Sequence, residues 1–286
     1  MFRLFINFLV ILVNLLNFIF EYILKINFKG FFTDQLRQNY KTIKLKKNAI
    51  KFFIPSHVIA WRVNTFFEKE PETLNWIDNF KKKKNIIFWD IGANIGLYSI
   101  YAAKIHKKIK VYSFEPSFLN LNALGRNIYI NKLINKIHIF QLPLGNKVNK
   151  FQHMLETEVC EGGALSSFGI HKDPSGKKFK ENNSYSILGT TLDEIINKKI
   201  IELPDYIKID VDGLEHLILM GFKNNLKNKK IKSILVEVNE NYFDQYNKIK
   251  KILNENKYVL KHKEQSPLSR KGQDSLKTYN YIYFRK

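Results

Sequence analysis

From residue 86 onward the chain alternates short apolar runs with longer amphipathic stretches. Apolar runs of this kind are typical of strands that are buried on both faces of a sheet. Because amphipathic stretches separate most of these runs, their order predicts a doubly wound, mostly parallel seven-stranded sheet with helices on both faces. The predicted strands are Ile86–Ile91, Ile109–Phe114, Ile137–Leu142, Tyr206–Val211, Ile231–Val238, Tyr258–His262 and Tyr279–Phe284, and the predicted helices cover residues 97–105, 117–130, 191–199, 214–223 and 243–255.

The last two predicted strands have no stretch of helix length between them. A polar loop around Ser266-Pro267 and Lys271-Gly272 connects them. We therefore expect them to pair as an antiparallel hairpin at one edge of the sheet.

The N-terminal segment is apolar and uncharged from Leu4 to Phe20. Its length is at the lower limit for a helix that spans a bilayer. At about 100° per residue, the polar positions fall within one arc of roughly 80°. A helix over residues 1–30 could span a membrane with its asparagines facing a partner, lie in an anionic membrane surface through residues 2–26, or dock on protein. These polar positions are Arg3, Asn7, Asn14, Asn17, Glu21 and Lys25.

Flanking charges make a prediction about the side of the membrane on which the chain lies. Lys25 and Lys29 outnumber Arg3, which keeps the remainder cytoplasmic, or attached to the inner face of the cytoplasmic membrane. No small-residue cleavage site follows, so a signal peptide is disfavoured. Residues 31–85 are predicted to form a leading segment and cap, with one or two short strands before Pro55 and a helix beginning near Pro71.

Composition narrows the class of protein. The 45% hydrophobic content excludes global disorder, and the single cysteine, Cys160, excludes an intramolecular disulfide. The formal net charge is +21, but the lysines are spread through a chain that also has 30 asparagines. This pattern favours a solvated basic surface over anionic lipid or an acidic substrate, and makes nucleic acid the least favoured partner.

The first predicted strand of the sheet ends in a motif that suits a nucleoside ligand. Asp90-Ile-Gly-Ala-Asn-Ile-Gly96 leads directly into a helix, and Asn94 stands where another glycine is common. The dinucleotide pattern fails because residue 97 is Leu, so NAD is unfavoured. Glu115 ends the second strand, where its two oxygens suit a ribose diol. Together these features indicate an S-adenosylmethionine (SAM) site, the alternative being that Asp90 and Glu115 only cap local turns.

Three motifs resemble those of FkbM-type methyltransferases. They are Asp90–Ser99, Phe114-Glu115-Pro116 with Asn120 and Asn127, and Ile207–Glu215 followed by Gly221. The resemblance covers roughly residues 60–262 and implies a class I, Rossmann-like, SAM-dependent methyltransferase domain, here residues 86–286, with O-methylation as its chemistry. It also implies that Asp90, Gly92, Asn94 and Gly96 line the methionine and ribose side and that Glu115 holds the ribose hydroxyls. Asp212 stands where the family often has Glu.

The candidate catalytic residues follow the fourth strand. Asp210, Asp212 and His216 cluster there, and because strand residues alternate, only one of the two aspartates is expected to face the cleft. A less favoured arrangement uses Asp212, Glu237 and Asn239 as oxygen ligands of Mg²⁺. A third alternative is that the acids are structural and the reaction needs positioning only.

The acceptor is expected to be a hydroxyl or carboxyl group of a sugar, glycan or secondary metabolite. The polar, glycine-rich stretch 143–190 is predicted to be a substrate loop, with a surface excursion as an equal alternative. Two other readings are a catalytically inactive, membrane-associated interaction module and, less favoured, a nucleic-acid methyltransferase. The fourth strand ends Asp210-Val-Asp-Gly and lacks the Asn/Asp-Pro-Pro-aromatic motif of amino-methylating enzymes. For the assembly of the chain, a homo-oligomer is one alternative that the sequence leaves open.

Overall fold

The computed structural model describes residues 2–81, 85–173, 175–178, 180–270 and 277–286. The helices in these ranges are α1 (Phe2–Leu24), α2 (Phe28–Arg37), α3 (His57–Asn64), α4 (Phe66–Lys69), α5 (Pro71–Asp78), α6 (Leu97–Ile105), α7 (Phe118–Ile130), α8 (Leu192–Asn197), α9 (Glu215–Met220), α10 (Phe243–Glu255) and α11 (Pro267–Arg270). The strands are β1 (Tyr40–Lys44), β2 (Ala49–Phe53), β3 (Ile86–Ile91), β4 (Ile109–Phe114), β5 (Ile137–Phe140), β6 (Lys150–Glu156), β7 (Ser166–Phe168), β8 (Asn183–Gly189), β9 (Tyr206–Ile209), β10 (Ser233–Asn239), β11 (Tyr258–Glu264) and β12 (Thr278–Arg285).

Seven strands form the central sheet in the order β11-β12-β10-β9-β3-β4-β5. The five strands from β10 to β5 run parallel, whereas β12 is antiparallel to both β10 and β11. This confirms the predicted doubly wound, mostly parallel sheet. The chain moves outward from β3 to β5 and then returns to β9 on the other side of β3, so the strand order reverses between β3 and β9. Ligands of open sheets bind at the carboxyl ends of strands beside such a reversal.

Side chains of β3 alternate between two apolar cores, one on each face of the sheet. Ile86 and Phe88 pack with α5, α6 and α7, while Ile87, Trp89 and Ile91 pack with α8, α9 and α10. Every residue of β3 is buried. The apolar run in the sequence therefore reflects burial on both faces, as predicted.

The antiparallel hairpin also forms, but its order in the sheet has a feature that the sequence does not indicate. The last strand, β12, lies between β10 and β11, so β11 is the edge strand. The side chains of β12 are accordingly buried at its centre, including Tyr281 and Tyr283. The part of the predicted connecting loop at Lys271-Gly272 lies outside the described residues.

The leading segment contains the expected short strands, paired as the antiparallel sheet β1-β2. Phe52 and Ile59 from this segment are buried against the core that includes α6 and α7. The backbone N–H of Phe53 donates to Oδ1 of Asn127 at 2.8 Å, which ties β2 to α7. The segment begins with α2, which extends past the expected boundary at residue 30 to Arg37.

Residues 143–190 are more regular than the expected loop. They contain a three-stranded antiparallel sheet in the order β7-β6-β8. In β8 the more deeply buried positions Tyr185 and Ile187 alternate with the exposed Ser184 and Ser186. This sheet packs beside the end of β9, where Met154 and Phe168 contact Leu214.

Candidate active site

A cavity of about 330 Å³ lies at the carboxyl ends of β3, β4, β9 and β10, beside the reversal of strand order. Pockets for small ligands in proteins begin at about this size. The leading segment and residues 143–190 supply the walls opposite the sheet. Six of the sequence-predicted residues line the cavity, namely Gly92, Asn94, Glu115, Asp210, Asp212 and Glu237, whereas Asp90, Gly96, His216 and Asn239 are not among its lining residues.

The turn between β3 and α6 is left-handed at three positions. Gly92, Asn94 and Gly96 have φ angles of 81°, 49° and 86°, which confirms the conformation expected for Asn94. A Cβ atom at Gly92 would lie 1.8 Å from the carbonyl oxygen of Asp210, so the turn touches the end of β9 directly. A Cβ atom at Gly96 would meet Cδ1 of Leu124 at 2.5 Å. Gly96 therefore permits α6 to pack against α7 and does not face the cavity.

Glu115 is a nearly buried carboxyl at the end of β4, with 5% of its surface exposed. Its Oε2 accepts a hydrogen bond from the Asn94 backbone N–H at 2.7 Å, and its Oε1 accepts one from the Ser117 N–H at 2.9 Å. Burial raises the pKa of Glu115 to about 7, although these donors and Asn120 oppose the shift. Since each carboxylate oxygen has two lone pairs, both can still accept from hydroxyl groups in the cavity.

Asp90 lies within β3 and contacts residues beneath the cavity, in the interior of the protein. Its Oδ2 accepts from the Ser99 hydroxyl at 2.5 Å, and its Oδ1 is 3.8 Å from Nζ of Lys208. Lys208 also donates to Oδ2 of Asp210 at 2.9 Å. Burial raises the pKa of Asp90, and the Lys208 ammonium opposes this. Asp90 is 1% exposed and is not among the residues that line the cavity, so the structure does not place it on the expected methionine and ribose side.

Asp210 and Asp212 both line the cavity, contrary to the expectation that only one could. Strand alternation does not apply here, because β9 ends at Ile209 and Asp212 has a left-handed φ of 57°. Oδ2 of Asp212 accepts from the Leu165 N–H at 2.9 Å. Burial raises the pKa of Asp212 to about 6, and the negative charge of Asp210 makes a smaller contribution in the same direction.

Glu237 is the fourth acid that lines the cavity. Burial raises the pKa of Glu237 well above its ordinary value, and the charges of Asp210 and Asp212 raise it further. Burial and the neighbouring charges therefore favour the protonated form of Glu237, which can donate a hydrogen bond into the cavity.

His216 lies in the first turn of α9 and packs edge-on against Tyr242, with the ring centroids 6.2 Å apart. Burial lowers the pKa of His216 to about 4, so the ring is neutral at pH 7. Because it lies outside the cavity lining, the structure does not place His216 where a base would act.

Asn239 uses its Oδ1 to accept from the Asn241 N–H at 2.9 Å and also lies outside the cavity lining. The suggested magnesium set of Asp212, Glu237 and Asn239 is therefore not assembled around one point. Among the residues that the structure describes, no three His, Cys, Asp or Glu side chains form a group that could hold a metal ion.

Three basic residues that sequence reasoning did not select complete the site. Arg62 and Lys69 line the cavity from the leading segment, and Nε of Arg62 donates to the Gly162 carbonyl at 2.7 Å. Lys69 pairs with the buried Glu70 at 2.6 Å. Burial disfavours the charge of Glu70, but Lys69 and Lys208 outweigh it and lower the pKa of Glu70 to about 2. Lys208 alone had a sequence signal, since a lysine between Ile207 and Ile209 interrupts a buried strand.

The groups that line the cavity fit SAM. Glu115 supplies two acceptor oxygens for a ribose diol, and Gly92 leaves the backbone at the strand end uncovered by a side chain. Apolar side chains beside Glu115 suit a flat base. The carboxyl groups of Asp210 and Asp212 suit a cationic sulfonium. The apolar residues are Phe114, Pro116, Leu142, Pro143 and Leu144.

Solved structures that this chain matches at low identity include complexes with S-adenosyl-homocysteine or AdoMet. TrmK of M. capricolum in complex with S-adenosyl-homocysteine is 16% identical, has a TM-score of 0.44, and the match covers 74% of this chain and 67% of that chain. TYW2 of M. jannaschii in complex with AdoMet is 15% identical, has a TM-score of 0.41, and the match covers 87% and 88%.

Curated relatives are named as methyltransferases. Methyltransferase sdnD of Sordaria araneosa is 23% identical over 175 residues, which cover 54% of this chain and 68% of that protein. Hexuronic acid methyltransferase AglP of Haloferax volcanii is 22% identical over 190 residues, which cover 66% and 70%. A family profile described as the methyltransferase FkbM domain matches residues 90–260, more than half of the chain. The chain therefore belongs to the FkbM methyltransferase family and is a SAM-dependent methyltransferase with a class I fold.

Proposed function

We propose that this enzyme methylates an oxygen atom, either a hydroxyl or a carboxyl group, of a sugar, glycan or secondary metabolite. The observation that carries the proposal is Asp212, a carboxyl in the cavity wall whose pKa burial raises to about 6. A carboxylate with this pKa is ionised at pH 7.5 and is basic enough to take a proton from a hydroxyl during the transfer. The name of the Haloferax relative, a hexuronic acid methyltransferase, supports a sugar acceptor.

In this proposal the cofactor lies along the ends of β3 and β4. Glu115 accepts hydrogen bonds from the ribose hydroxyls, and the backbone at Gly92 and Asn94 borders the methionine side. SAM supplies an electrophilic methyl group on a sulfonium. The half-buried carboxylate of Asp210, which is paired with Lys208, is the group that favours this positive charge.

The acceptor then lies between the sheet and the leading segment. Asp212 receives the hydroxyl proton, and its position is set by the hydrogen bond from the Leu165 backbone. Asp210 is less suited to receive this proton, because its Oδ2 already accepts a hydrogen bond from the Lys208 ammonium at 2.9 Å. Glu237, when protonated, can donate a hydrogen bond to an acceptor oxygen. Arg62 and Lys69 provide positive charge on the opposite wall, which suits an acceptor that carries a carboxylate.

A carboxyl group is the second candidate acceptor, and its methylation does not require Asp212 to act as a base. A carboxylate is already deprotonated at neutral pH, so its methylation needs alignment with the methyl group but no base. The two acceptor classes can therefore be separated by the same substitution.

The test is methyl transfer from isotopically labelled SAM to methyl glucoside and methyl glucuronoside, with the methylated atom located by NMR. On a hydroxyl acceptor we expect Asp212→Asn to lower kcat by about 10²- to 10⁴-fold, with little change in the affinity for S-adenosylhomocysteine. His216→Gln, outside the cavity, is the matched control and should keep its activity. Transfer to nitrogen or carbon would refute O-methylation. Full activity of Asp212→Asn on a hydroxyl would refute the role of Asp212, and full activity on the carboxyl alone would identify a carboxyl methyltransferase.

A further inference from the structure

The helix α1 leaves an extended apolar surface uncovered. It is long and apolar enough to cross a membrane from Arg3 to Leu24, and none of its most apolar window is buried within the described residues. Soluble proteins seldom expose apolar patches of this extent, and those that do commonly use them to bind membranes or other proteins. The most exposed large side chains of α1 are Leu4, Phe8, Ile11, Phe18, Tyr22 and Ile23.

The next helix, α2, covers one side of α1 and part of its polar stripe. The backbone N–H of Lys29 donates to Oδ1 of Asn17 at 2.8 Å, and Nζ of Lys29 donates to Oδ1 of Asn14 at 2.8 Å. Phe20 stacks on Phe28, with the ring centroids 5.0 Å apart. Asn14 and Asn17 therefore already have partners within the α1–α2 hairpin and do not need a second protein.

The remaining surface of α1 is amphipathic. On a helical wheel of about 100° per residue, the half-buried positions that face α2 lie next to the polar stripe, and most of the exposed apolar positions occupy an arc of roughly 140° beyond them. Leu12 lies within this exposed arc, opposite the middle of the stripe that contains Arg3, Asn7 and Glu21. An exposed surface with one polar and one apolar side is typical of a helix that lies in a membrane interface.

A spanning orientation conflicts with the position of Lys29. Asn14 lies ten residues before Leu24, which is about 15 Å along a helix. If α1 crossed a bilayer with Leu24 at one boundary, the ammonium of Lys29 would lie near the middle of a hydrocarbon core about 30 Å thick. A lysine at that depth is unfavourable, because hydrocarbon solvates an ammonium poorly. An in-plane orientation leaves this ammonium on the water side.

The net positive charge around α1 favours a lipid membrane over an apolar protein surface as the partner that covers its exposed face. Residues 1–51 contain nine Lys and Arg against two acidic residues, Glu21 and Asp34. Four of these lysines, Lys41, Lys44, Lys46 and Lys47, are exposed on the β1-β2 hairpin that follows α2 after two residues. A basic segment next to an apolar helix face matches an anionic membrane surface. We propose that the α1–α2 hairpin binds this enzyme in the plane of an anionic lipid membrane without spanning it.

The test is co-flotation of the full-length protein with preformed vesicles of phosphatidylcholine alone or with phosphatidylglycerol. Two variants add the same charge at similar positions along α1: Leu12→Lys in the exposed apolar arc and Asn7→Lys in the polar stripe. We expect binding to the anionic vesicles, weaker binding to the neutral ones, a loss of about tenfold or more for Leu12→Lys, and no loss for Asn7→Lys. S-adenosylhomocysteine binding by calorimetry should be the same in both variants, which shows that the rest of the chain is folded.

Each other outcome overturns the proposal. Equal loss in the two variants indicates a spanning helix, because both lysines would then enter hydrocarbon. A protein that stays off all vesicles and forms an oligomer that Leu12→Lys disrupts indicates a second copy of the chain as the occupant. Recovery from cells of a chain that lacks residues 1–26 indicates a cleaved targeting segment.

Discussion

The most direct test of the cofactor site concerns the ionisation of Glu115. Burial raises the pKa of this carboxyl to about 7 in the protein. Ribose hydroxyls donate hydrogen bonds, so they bind the ionised form of Glu115 better than the protonated form. Affinity for a nucleoside ligand should therefore fall as the pH falls through 7.

The size of the effect follows from the ionised fraction. With a pKa of about 7, roughly nine-tenths of Glu115 is ionised at pH 8 and roughly one-tenth at pH 6. If the ionised form alone binds the ribose, the Kd should therefore rise about tenfold between pH 8 and pH 6. Glu115→Gln keeps the shape of the side chain but removes its charge. At pH 8 this should weaken binding by roughly ten- to a hundredfold, since a hydrogen bond to a charged group contributes about 1.5–3 kcal/mol.

The assay is calorimetric titration with S-adenosylhomocysteine at pH 6, 7 and 8. This ligand lacks the sulfonium charge, so the other acids of the cavity contribute less to the pH dependence than they would with SAM. The exposed Glu255→Gln, at the end of α10, is the matched control and should bind as the wild type does. A wild-type Kd that is constant from pH 6 to 8, or the same pH dependence in Glu115→Gln, would refute the assignment of the ribose to Glu115.

Two further predictions concern the framework of the site. Gly92→Ala should abolish measurable S-adenosylhomocysteine binding, because its Cβ would lie 1.8 Å from the Asp210 carbonyl oxygen. The control is Gly145→Ala, where a Cβ meets nothing within 4 Å. Normal binding by Gly92→Ala would contradict the contact. Lys208→Met should lower the free energy of unfolding in urea by about 3–5 kcal/mol, since it leaves buried carboxyls unpaired. The control is Lys248→Met, which removes the lysine of an exposed ion pair and should lower the free energy of unfolding by less than about 1 kcal/mol. Equal losses of stability in the two variants would show that the buried network contributes little.

The sequence predicted the central sheet because burial on both faces leaves a direct trace in residue type. β3, with all six residues buried, and α6 were predicted with the bounds that the structure has. The insertion of β12 between β10 and β11 left no such trace, since either strand of a hairpin can pair with β10. β8 had a weak signal in the alternation of Tyr185 and Ile187 with serines, which a long polar stretch obscures.

The sequence indicated the backbone conformation of the turn after β3, but it did not indicate which neighbouring side chains face the cavity. Asn94 is left-handed as its position in the motif required. His216 follows the same strand end as Asp212, yet its ring packs against Tyr242 outside the cavity. Arg62 reaches the cavity from a segment 28 residues before Asp90. No local pattern indicates that α3 packs across the end of the sheet.

The charges of the molecule are divided in a way that the net value of +21 conceals. Around the cavity, acids outnumber bases, and burial raises the pKa of Glu115 to about 7, that of Asp212 to about 6 and that of Glu237 well above its ordinary value. Buried carboxyls in this state are unfavourable for the free protein, and a cationic ligand that stabilises their charged forms binds more tightly because of it. The exposed lysines cannot provide that compensation, because water separates and screens them from the cavity. The acidic cavity therefore favours a sulfonium ligand, while the basic exterior is free to meet an anionic surface.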